Sequence, residues 1–303
     1  MPAMYAPLLM TCAALLFSLM GACVKLASAQ YGAGEIVMYR SLVGVLLMGA
    51  LLRWNGTGWR TQVPAMHFWR SSSGVAALVM WFYAIGGLPL ATATTLNYMS
   101  SVWIALFLLG GAALAPQVAA GASRVDGRLV AAVMVGFAGV ALVMRPTIER
   151  EQAWHGFVGL LSGLLAAVAY LQVSALGRVG EPETRVVFYF SLFGIVAGVA
   201  VALAGGGFSA HTPLGALLLL AIGVLAAVAQ WMMTRAYARG ATLTNAALAY
   251  LGIVFSLVWG LWWFDDPITP MAMGGIVLIV VAGLAATFLR GRGQREDASP
   301  TQY

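Results

Sequence analysis

The chain has 303 residues, of which 61% are hydrophobic and 9% are charged, and its formal net charge is +6. A soluble domain carries about 25% charged residues, so this chain has too few charged side chains to cover a surface that faces water. The composition therefore excludes an ordinary soluble domain. It predicts an all-α polytopic membrane protein, with the lipid bilayer as its solvent.

Ten apolar stretches are long enough to cross a bilayer, which takes about 20 residues each. In chain order they cover residues 6–29, 34–53, 71–88, 90–114, 127–145, 156–177, 185–204, 213–236, 243–264 and 269–289. The connections between them are too short to hold a soluble catalytic module. The polar segment 290–303 is expected to be a cytoplasmic tail, and no metal or other cofactor is expected because no metal-ligand spacing is present.

The two halves of the chain are related by a weak duplication. Residues 95–98 align with residues 247–250, and residues 41–44 align with residues 191–194. Ten helices in two repeats give five helices per repeat, and an odd number reverses the orientation of the second repeat. The sequence therefore predicts ten transmembrane helices arranged as two inverted five-helix repeats, at residues 1–145 and 156–289.

The distribution of basic residues predicts the orientation of the chain. If the N-terminus is cytoplasmic, twelve of the 16 Lys and Arg residues fall on the cytoplasmic side. Arg70 is counted among these twelve, because it precedes the third predicted span. This bias predicts that both termini are cytoplasmic. It also accounts for the net positive charge without a nucleic-acid partner, since the basic residues are scattered.

Polar and aromatic side chains inside the predicted spans are candidates for a substrate pathway, because polar groups at membrane depth are costly. The candidates are Tyr83, Asn97, Tyr98, Ser101, Trp103, Gln172, Gln230, Trp231, Asn245, Tyr250 and Trp259. They either line a central cavity or form hydrogen bonds and packing contacts between helices. Their concentration in the repeat-equivalent fourth and ninth spans favours the cavity for the set as a whole.

Three charged residues, Lys25, Glu35 and Arg40, flank the first turn that is predicted to face outward. They form a charged entrance or gate if a cation attracts a substrate carboxylate or phosphate. The alternative, which we weigh slightly higher, is that both cations pair with Glu35 at the membrane interface. No Asp or Glu lies in the middle of a predicted span. A proton relay is therefore not visible, and facilitated diffusion, exchange or coupling through Glu35 stay open.

The sequence gives no support for catalysis. The three histidines lie in predicted loops or at helix ends, and no Ser lies in the context of a nucleophile elbow. An intramembrane enzyme needs a buried nucleophile–base pair or metal ligands, and none can be placed. We therefore expect a protein that is not an enzyme.

Several segments resemble the EamA-like transporters of the drug/metabolite transporter superfamily. Residues 82–84, 88–93 and 96–98 resemble the third and fourth helices of that family, residues 35–41 its second, residues 136–146 its fifth and residues 274–283 its tenth. The resemblance covers essentially the whole chain. It implies a metabolite carrier of a bacterial-type inner or plasma membrane, with a central cavity formed mainly by the first, third, fourth, sixth, eighth and ninth helices.

These observations predict a secondary transporter that moves a small metabolite by alternating access, with an amino acid or derivative as the expected substrate. Export is favoured by the resemblance alone. The Trp, Tyr, Asn and Ser side chains of the predicted cavity favour a neutral or zwitterionic solute with an apolar part. The alternative within transport is uptake of a nucleoside-type metabolite such as S-adenosylmethionine. The oligomeric state is not fixed, and a monomer is compatible with the sequence.

Overall fold

A computed structural model describes residues 5–88, 90–114, 127–144, 153–239, 242–264 and most positions of 270–285. All regular secondary structure in these residues is helical. The predicted tail 290–303 and the predicted boundary between the repeats at 146–152 lie outside the described residues. The tenth predicted span is described only in part.

The helices are α1 (Tyr5–Ala27), α2 (Ala33–Trp54), α3 (Pro64–Gly87), α4 (Leu90–Tyr98), α5 (Ser100–Leu114), α6 (Gly127–Met144), α7 (Ala153–Arg178), α8 (Glu183–Ala204), α9 (Pro213–Arg239), α10 (Thr242–Ala249) and α11 (Leu251–Trp263). Six helical segments of the described part are long and apolar enough to cross a membrane: α1, α2, α7, α8, α9 and the combined stretch α10–α11. The chain is therefore an integral, multi-pass membrane protein.

Helix α3 begins earlier than the sequence pattern predicted. It starts at Pro64 rather than at residue 71. Proline suits the first position of a helix, because its φ is already helical and its missing N–H has no partner to lose there. The assignment of Arg70 to a cytoplasmic loop was therefore wrong. Arg70 lies in the second turn of α3, and only 2% of it is exposed.

Two predicted spans are each interrupted once. Met99 separates α4 from α5, and Tyr250 separates α10 from α11. The amide of Tyr250 donates to the carbonyl of Ala247, three residues back, so the carbonyl of Ala246 loses its helical partner. The hydroxyl of Ser101 on α5 donates to that carbonyl over 2.8 Å. Ser101 of the first interrupted span therefore replaces a backbone hydrogen bond that the second interrupted span has lost.

The helices of the two halves pack against each other in pairs. Helix α1 packs on α9, α2 on α8, and α3 on α7. Each of these pairs combines one helix from each predicted repeat. The two halves therefore share long helix–helix interfaces.

The contact between α2 and α8 is reciprocal. Gly44 faces Ser191, and Gly194 faces Ser41, so that a Cβ at either glycine would collide with the opposite serine. These are the residues at the ends of the aligned segments 41–44 and 191–194. Residue i touching j′ while j touches i′ is the pattern found around a two-fold axis. Small residues at such a contact let two helix backbones approach closely.

A larger side chain at Gly198 of α8 should destabilise the protein. A Cβ there would lie 2.6 Å from the backbone nitrogen of Met38 on α2, too close to be accommodated without movement of a helix. We expect Gly198→Val to cost about 1–3 kcal/mol of stability and to lower the thermal unfolding midpoint in detergent. Gly86→Val is the matched control, since nothing lies within 4 Å of a Cβ at Gly86. An equal loss in both variants would contradict the close-approach explanation.

Candidate functional site

A buried cavity lies between the two halves of the protein. Its wall combines side chains of α1–α4 with side chains of α7, α8 and α9. The polar wall residues are Arg40, Arg70, Asn97, Tyr98, Tyr170 and Gln230, and the aromatic side chains of Phe17, Trp81 and Phe190 complete much of the rest. The cavity has a volume of about 70 Å³. Small-molecule sites usually have about 300–1,000 Å³, so this cavity is smaller than a typical metabolite site.

The two arginines dominate the charge of this cavity. Arg40 on α2 is 4% exposed and Arg70 on α3 is 2% exposed. Their guanidinium carbons lie 5.3 and 4.3 Å from the ring centroid of Phe190, so both stack on one aromatic side chain of α8. Arg40 Nη2 donates to Gln230 Oε1 over a long 3.5 Å. The Nε atoms of both arginines and Nη1 of Arg70 have no hydrogen-bond partner in the described part of the chain.

Four of the predicted site residues lie in the cavity wall: Arg40, Asn97, Tyr98 and Gln230. Asn97 Nδ2 donates to Ser162 Oγ on α7 over 3.2 Å. Tyr98 reaches α11, where a Cβ on Gly252 would collide with its hydroxyl. Both residues stand directly before the interruption at Met99, which brings the C-terminal end of α4 to the cavity.

Three other predicted residues form hydrogen bonds between segments, outside the cavity wall. Asn245 is fully buried, and its Nδ2 donates to the carbonyl of Ala236 over 2.7 Å, which ties α10 to α9. Gln172 Oε1 accepts a hydrogen bond from Ser73 of α3 over 2.9 Å. Trp259 Nε1 donates to Ser18 of α1 over 3.0 Å. These contacts are those of the bundle-stabilising alternative, and a pathway role for these residues stays a prediction.

The remaining predicted residues also lie away from the cavity. Tyr83 is 40% exposed and stacks on His155 with ring centroids 4.6 Å apart. Trp103 and Tyr250 pack in the apolar cluster between α5, α6 and α10. Trp231 packs beside a second, more open pocket near the connection between α7 and α8. Ser101 makes the backbone contact described above.

The three charged residues near the first turn, Lys25, Glu35 and Arg40, make different contacts. Lys25 Nζ donates to the carbonyls of Ile85 and Leu88, each over 2.9 Å, and so satisfies the C-terminal end of α3. Glu35 accepts from the backbone N–H of Ser209 over 2.8 Å and from its hydroxyl over 2.7 Å. Arg40 forms no ion pair with Glu35, because it points into the cavity instead.

At one end of the helix bundle, hydrogen bonds join two of the loops that connect helices. We call this set the Glu35 latch: Gln30, Tyr31, Glu35, Tyr39, Ser209 and His211. His211 lies between the hydroxyls of Tyr31 (3.2 Å from Nδ1) and Tyr39 (2.8 Å from Nε2). Gln30 Nε2 donates to the carbonyl of Ala210 over 2.6 Å. The latch ties the connection between α1 and α2 to the connection between α8 and α9.

A second set closes the other end of α2, and we call it the Glu181 latch: Gly58, His67, Glu181 and Arg185. Glu181 Oε1 lies 2.9 Å from His67 Nε2 and 3.0 Å from Arg185 Nη1, and Arg185 Nη2 donates to the carbonyl of Gly58 over 2.7 Å. Burial acts to raise the pKa of Glu181, but hydrogen bonds from His67 and Arg185 outweigh it and hold that pKa below its ordinary value of 4.5.

Sequence reasoning missed Arg70 as a member of the site. The signal for Arg70 was present, because Pro64 followed by a long apolar-rich run is a helix start. With that start, Arg70 falls inside the helix rather than before it.

No protein-family model matches the sequence. The chain is 36% identical over 286 residues to the pseudopaline exporter of Pseudomonas aeruginosa (strain UCBPP-PA14), covering 92% of this chain and 94% of the exporter. It is 25% identical to an uncharacterized transporter of Helicobacter pylori (strain ATCC 700392 / 26695), over 89% of this chain and 90% of that protein. The chain belongs to this family of membrane transporters. It is therefore a transporter of small molecules rather than an enzyme.

A solved crystal structure has the same fold, with a TM-score of 0.77 and 19% sequence identity, over 94% of this chain and 98% of that one. The structure thus has a narrow central cavity, with the Glu35 latch and the Glu181 latch at opposite ends of α2.

Glu181 should make the stability of this transporter depend on acid pH. A carboxylate with a lowered folded-state pKa contributes stability above its unfolded pKa, and this contribution is lost as the pH falls through the lowered value. We expect the thermal midpoint of the wild type to fall between about pH 6 and pH 3. The thermal midpoint of Glu181→Gln should be lower than that of the wild type at neutral pH, and it should fall less as the pH is lowered.

The matched control is Glu183→Gln, which breaks the ion pair to Arg239 (3.0 Å) but leaves the Glu181 latch intact. The thermal midpoint of Glu183→Gln should fall in acid as much as that of the wild type. Parallel pH profiles for the wild type and Glu181→Gln would contradict the role assigned to Glu181.

Proposed function

We propose that this protein is an alternating-access exporter of a small metabolite derived from an amino acid, of the EamA-like drug/metabolite transporter type. The proposal includes ten transmembrane helices in two inverted repeats, in a bacterial-type inner membrane with both termini cytoplasmic. The observation that carries it is the polar cavity between the two halves, with a latch at each end of the bundle. A central site at the interface of two repeats is how many secondary transporters bind their solute.

The contacts between the halves support the inverted repeat. The reciprocal Ser41–Gly194 and Gly44–Ser191 contacts are those expected where α2 meets its own counterpart. The exchange of partners, α1 with α9 and α3 with α7, follows the same two-fold relation. If ten spans alternate in direction, the loops joined by each latch fall on the same side of the membrane, which agrees with their contacts.

The relative from Pseudomonas aeruginosa supports export as the direction, because it is similar over nearly its whole length and is itself an exporter. The cavity supports an amino-acid-like solute. Its amide, hydroxyl and guanidinium groups bind polar functions, while Phe17, Leu78 and Trp81 offer an apolar wall to a side chain. The alternative of nucleoside-type uptake is tested in the same experiment.

The function is tested by flux into proteoliposomes that contain the purified protein. The labelled panel comprises amino acids and their acidic derivatives, nucleosides and S-adenosylmethionine, with and without a pH gradient. We expect saturable and competable flux of an amino-acid-type solute. Flux of nucleosides alone would favour the uptake alternative, and no flux of any solute would contradict the proposal. Flux that follows the pH gradient would point to coupling through a carboxylate such as Glu35.

Substitutions in α4 should reduce this flux without preventing folding. Asn97→Ala removes the amide that faces the cavity and its hydrogen bond to Ser162, and Tyr98→Ala removes a wall residue that reaches α11. We expect each to lower flux roughly tenfold, since a lost hydrogen bond costs about 1 kcal/mol and the site also loses shape. Asn55→Ala, at the exposed end of α2, is the matched control. Wild-type flux in both α4 variants would remove α4 from the pathway.

A further inference from the structure

The two cavity arginines lack the negative charge that buried cations normally require. No Asp or Glu lies in the cavity wall. Within the described ranges the acidic residues are Glu35, Glu181 and Glu183, and each is engaged elsewhere. Glu35 binds Ser209, Glu181 binds His67 and Arg185, and Glu183 pairs with Arg239. Two positive charges therefore share one low-dielectric site with no carboxylate of the described chain beside them.

Such an arrangement is unfavourable on its own. A buried charge is costly unless it is paired and hydrogen-bonded, and two like charges in one site repel each other. The contacts of both guanidinium groups with the Phe190 ring compensate only weakly, because a cation–π contact does not replace an ion pair. The arrangement therefore points to a negative partner that enters the site from outside the protein.

The hydrogen-bonding groups of the site point to the same partner. Arg40 Nε, Arg70 Nε, Arg70 Nη1 and Gln230 Nε2 are buried and have no acceptor in the described part of the chain. All four are donors. Guanidinium groups bind the oxygens of carboxylates and phosphates with strong, charge-assisted hydrogen bonds. A ligand that brings several acceptor oxygens and negative charge would satisfy both arginines at once.

We propose that Arg40 and Arg70 form the recognition site for a doubly negative oxyanion substrate, a metabolite that carries two carboxylates or one phosphate. This inference rests on the proposed transport function and names the class of solute. It replaces the neutral or zwitterionic solute expected from the sequence, because that expectation rested on uncharged Trp, Tyr, Asn and Ser side chains and did not include Arg70 in the cavity. Gln230 positions Arg40 through its Oε1 and presents Nε2 to the same solute.

Binding tests this proposal independently of transport. The purified protein is heated with succinate, inorganic phosphate, acetate or L-glutamine, and the thermal midpoint is recorded. We expect succinate or phosphate to raise the midpoint of the wild type, acetate to raise it less, and glutamine to leave it unchanged. Succinate against phosphate separates the two sources of the oxyanion. No shift with either dianion at millimolar concentration would overturn the proposal.

The variants Arg40→Gln and Arg70→Gln separate recognition from a structural role. Each removes an uncompensated buried charge, so the ligand-free midpoint should stay equal or rise, while the affinity for the dianion falls roughly tenfold to hundredfold. A residue that only stabilises the fold would instead lower the ligand-free midpoint. Arg40→Lys and Arg70→Lys keep the charge and should keep weak binding. Arg53→Gln, at the exposed end of α2, is the matched control with unchanged binding.

Flux in proteoliposomes separates failure of this inference from failure of the transport function. Saturable flux of an acidic solute that is lost in Arg40→Gln and Arg70→Gln supports both. Flux of a neutral solute that persists in both variants overturns the arginine site and leaves transport standing. If no solute moves, the proposed function fails, and the thermal-shift experiment still decides whether the two arginines bind a dianion.

Discussion

Every polar group of a chain in lipid has to find its partner inside the protein, and this constraint explains most of the buried polar side chains here. Ser101 donates a hydrogen bond to the Ala246 carbonyl, which the interruption at Tyr250 leaves without a helical partner. Lys25 donates hydrogen bonds to two carbonyls at the end of α3. Asn245 donates a hydrogen bond to the Ala236 carbonyl near the end of α9. These side chains hold helices together. Among the buried polar atoms without a partner in the described part of the chain, Arg40 Nε, Arg70 Nε and Gln230 Nε2 belong to residues of the cavity wall.

The arginines of the cavity differ from the side chains that hold helices together, because their Nε atoms have no acceptor in the described part of the chain. Helices α2 and α3 both pack on α8, and this packing brings Phe190 of α8 into contact with both arginines. That packing depends on small residues, since Gly44 and Gly194 each touch a serine of the opposite helix. The same close approach of the two halves thus narrows the cavity and places both charges in it.

The sequence predicted the class of fold well, because spanning helices depend on the length and polarity of a segment, and both can be read directly. It predicted Arg40, Asn97, Tyr98 and Gln230 as site residues, and these do face one cavity. Most other candidates lie outside the wall of this cavity, and a pathway role for them stays a prediction. Whether Gln172 faces a solute or Ser73 depends on the rotation of α7 against α3, which periodicity does not specify. Arg70 was predicted to precede the third span, because a charged residue next to an apolar run was taken as the start of that span.

The positive charge of the cavity also affects how such a transporter would couple solute binding to a change of conformation. With both latches closed, repulsion between Arg40 and Arg70 opposes the narrow cavity, and a dianion would remove that opposition. A ligand shifts a conformational equilibrium only by its difference in affinity for the two states. Under the proposed function, the closed state becomes favourable when the solute is present, since only then are both guanidinium groups neutralised away from water. The arginine pair would thereby disfavour passage through the closed state without solute, and no buried carboxylate is needed for that requirement.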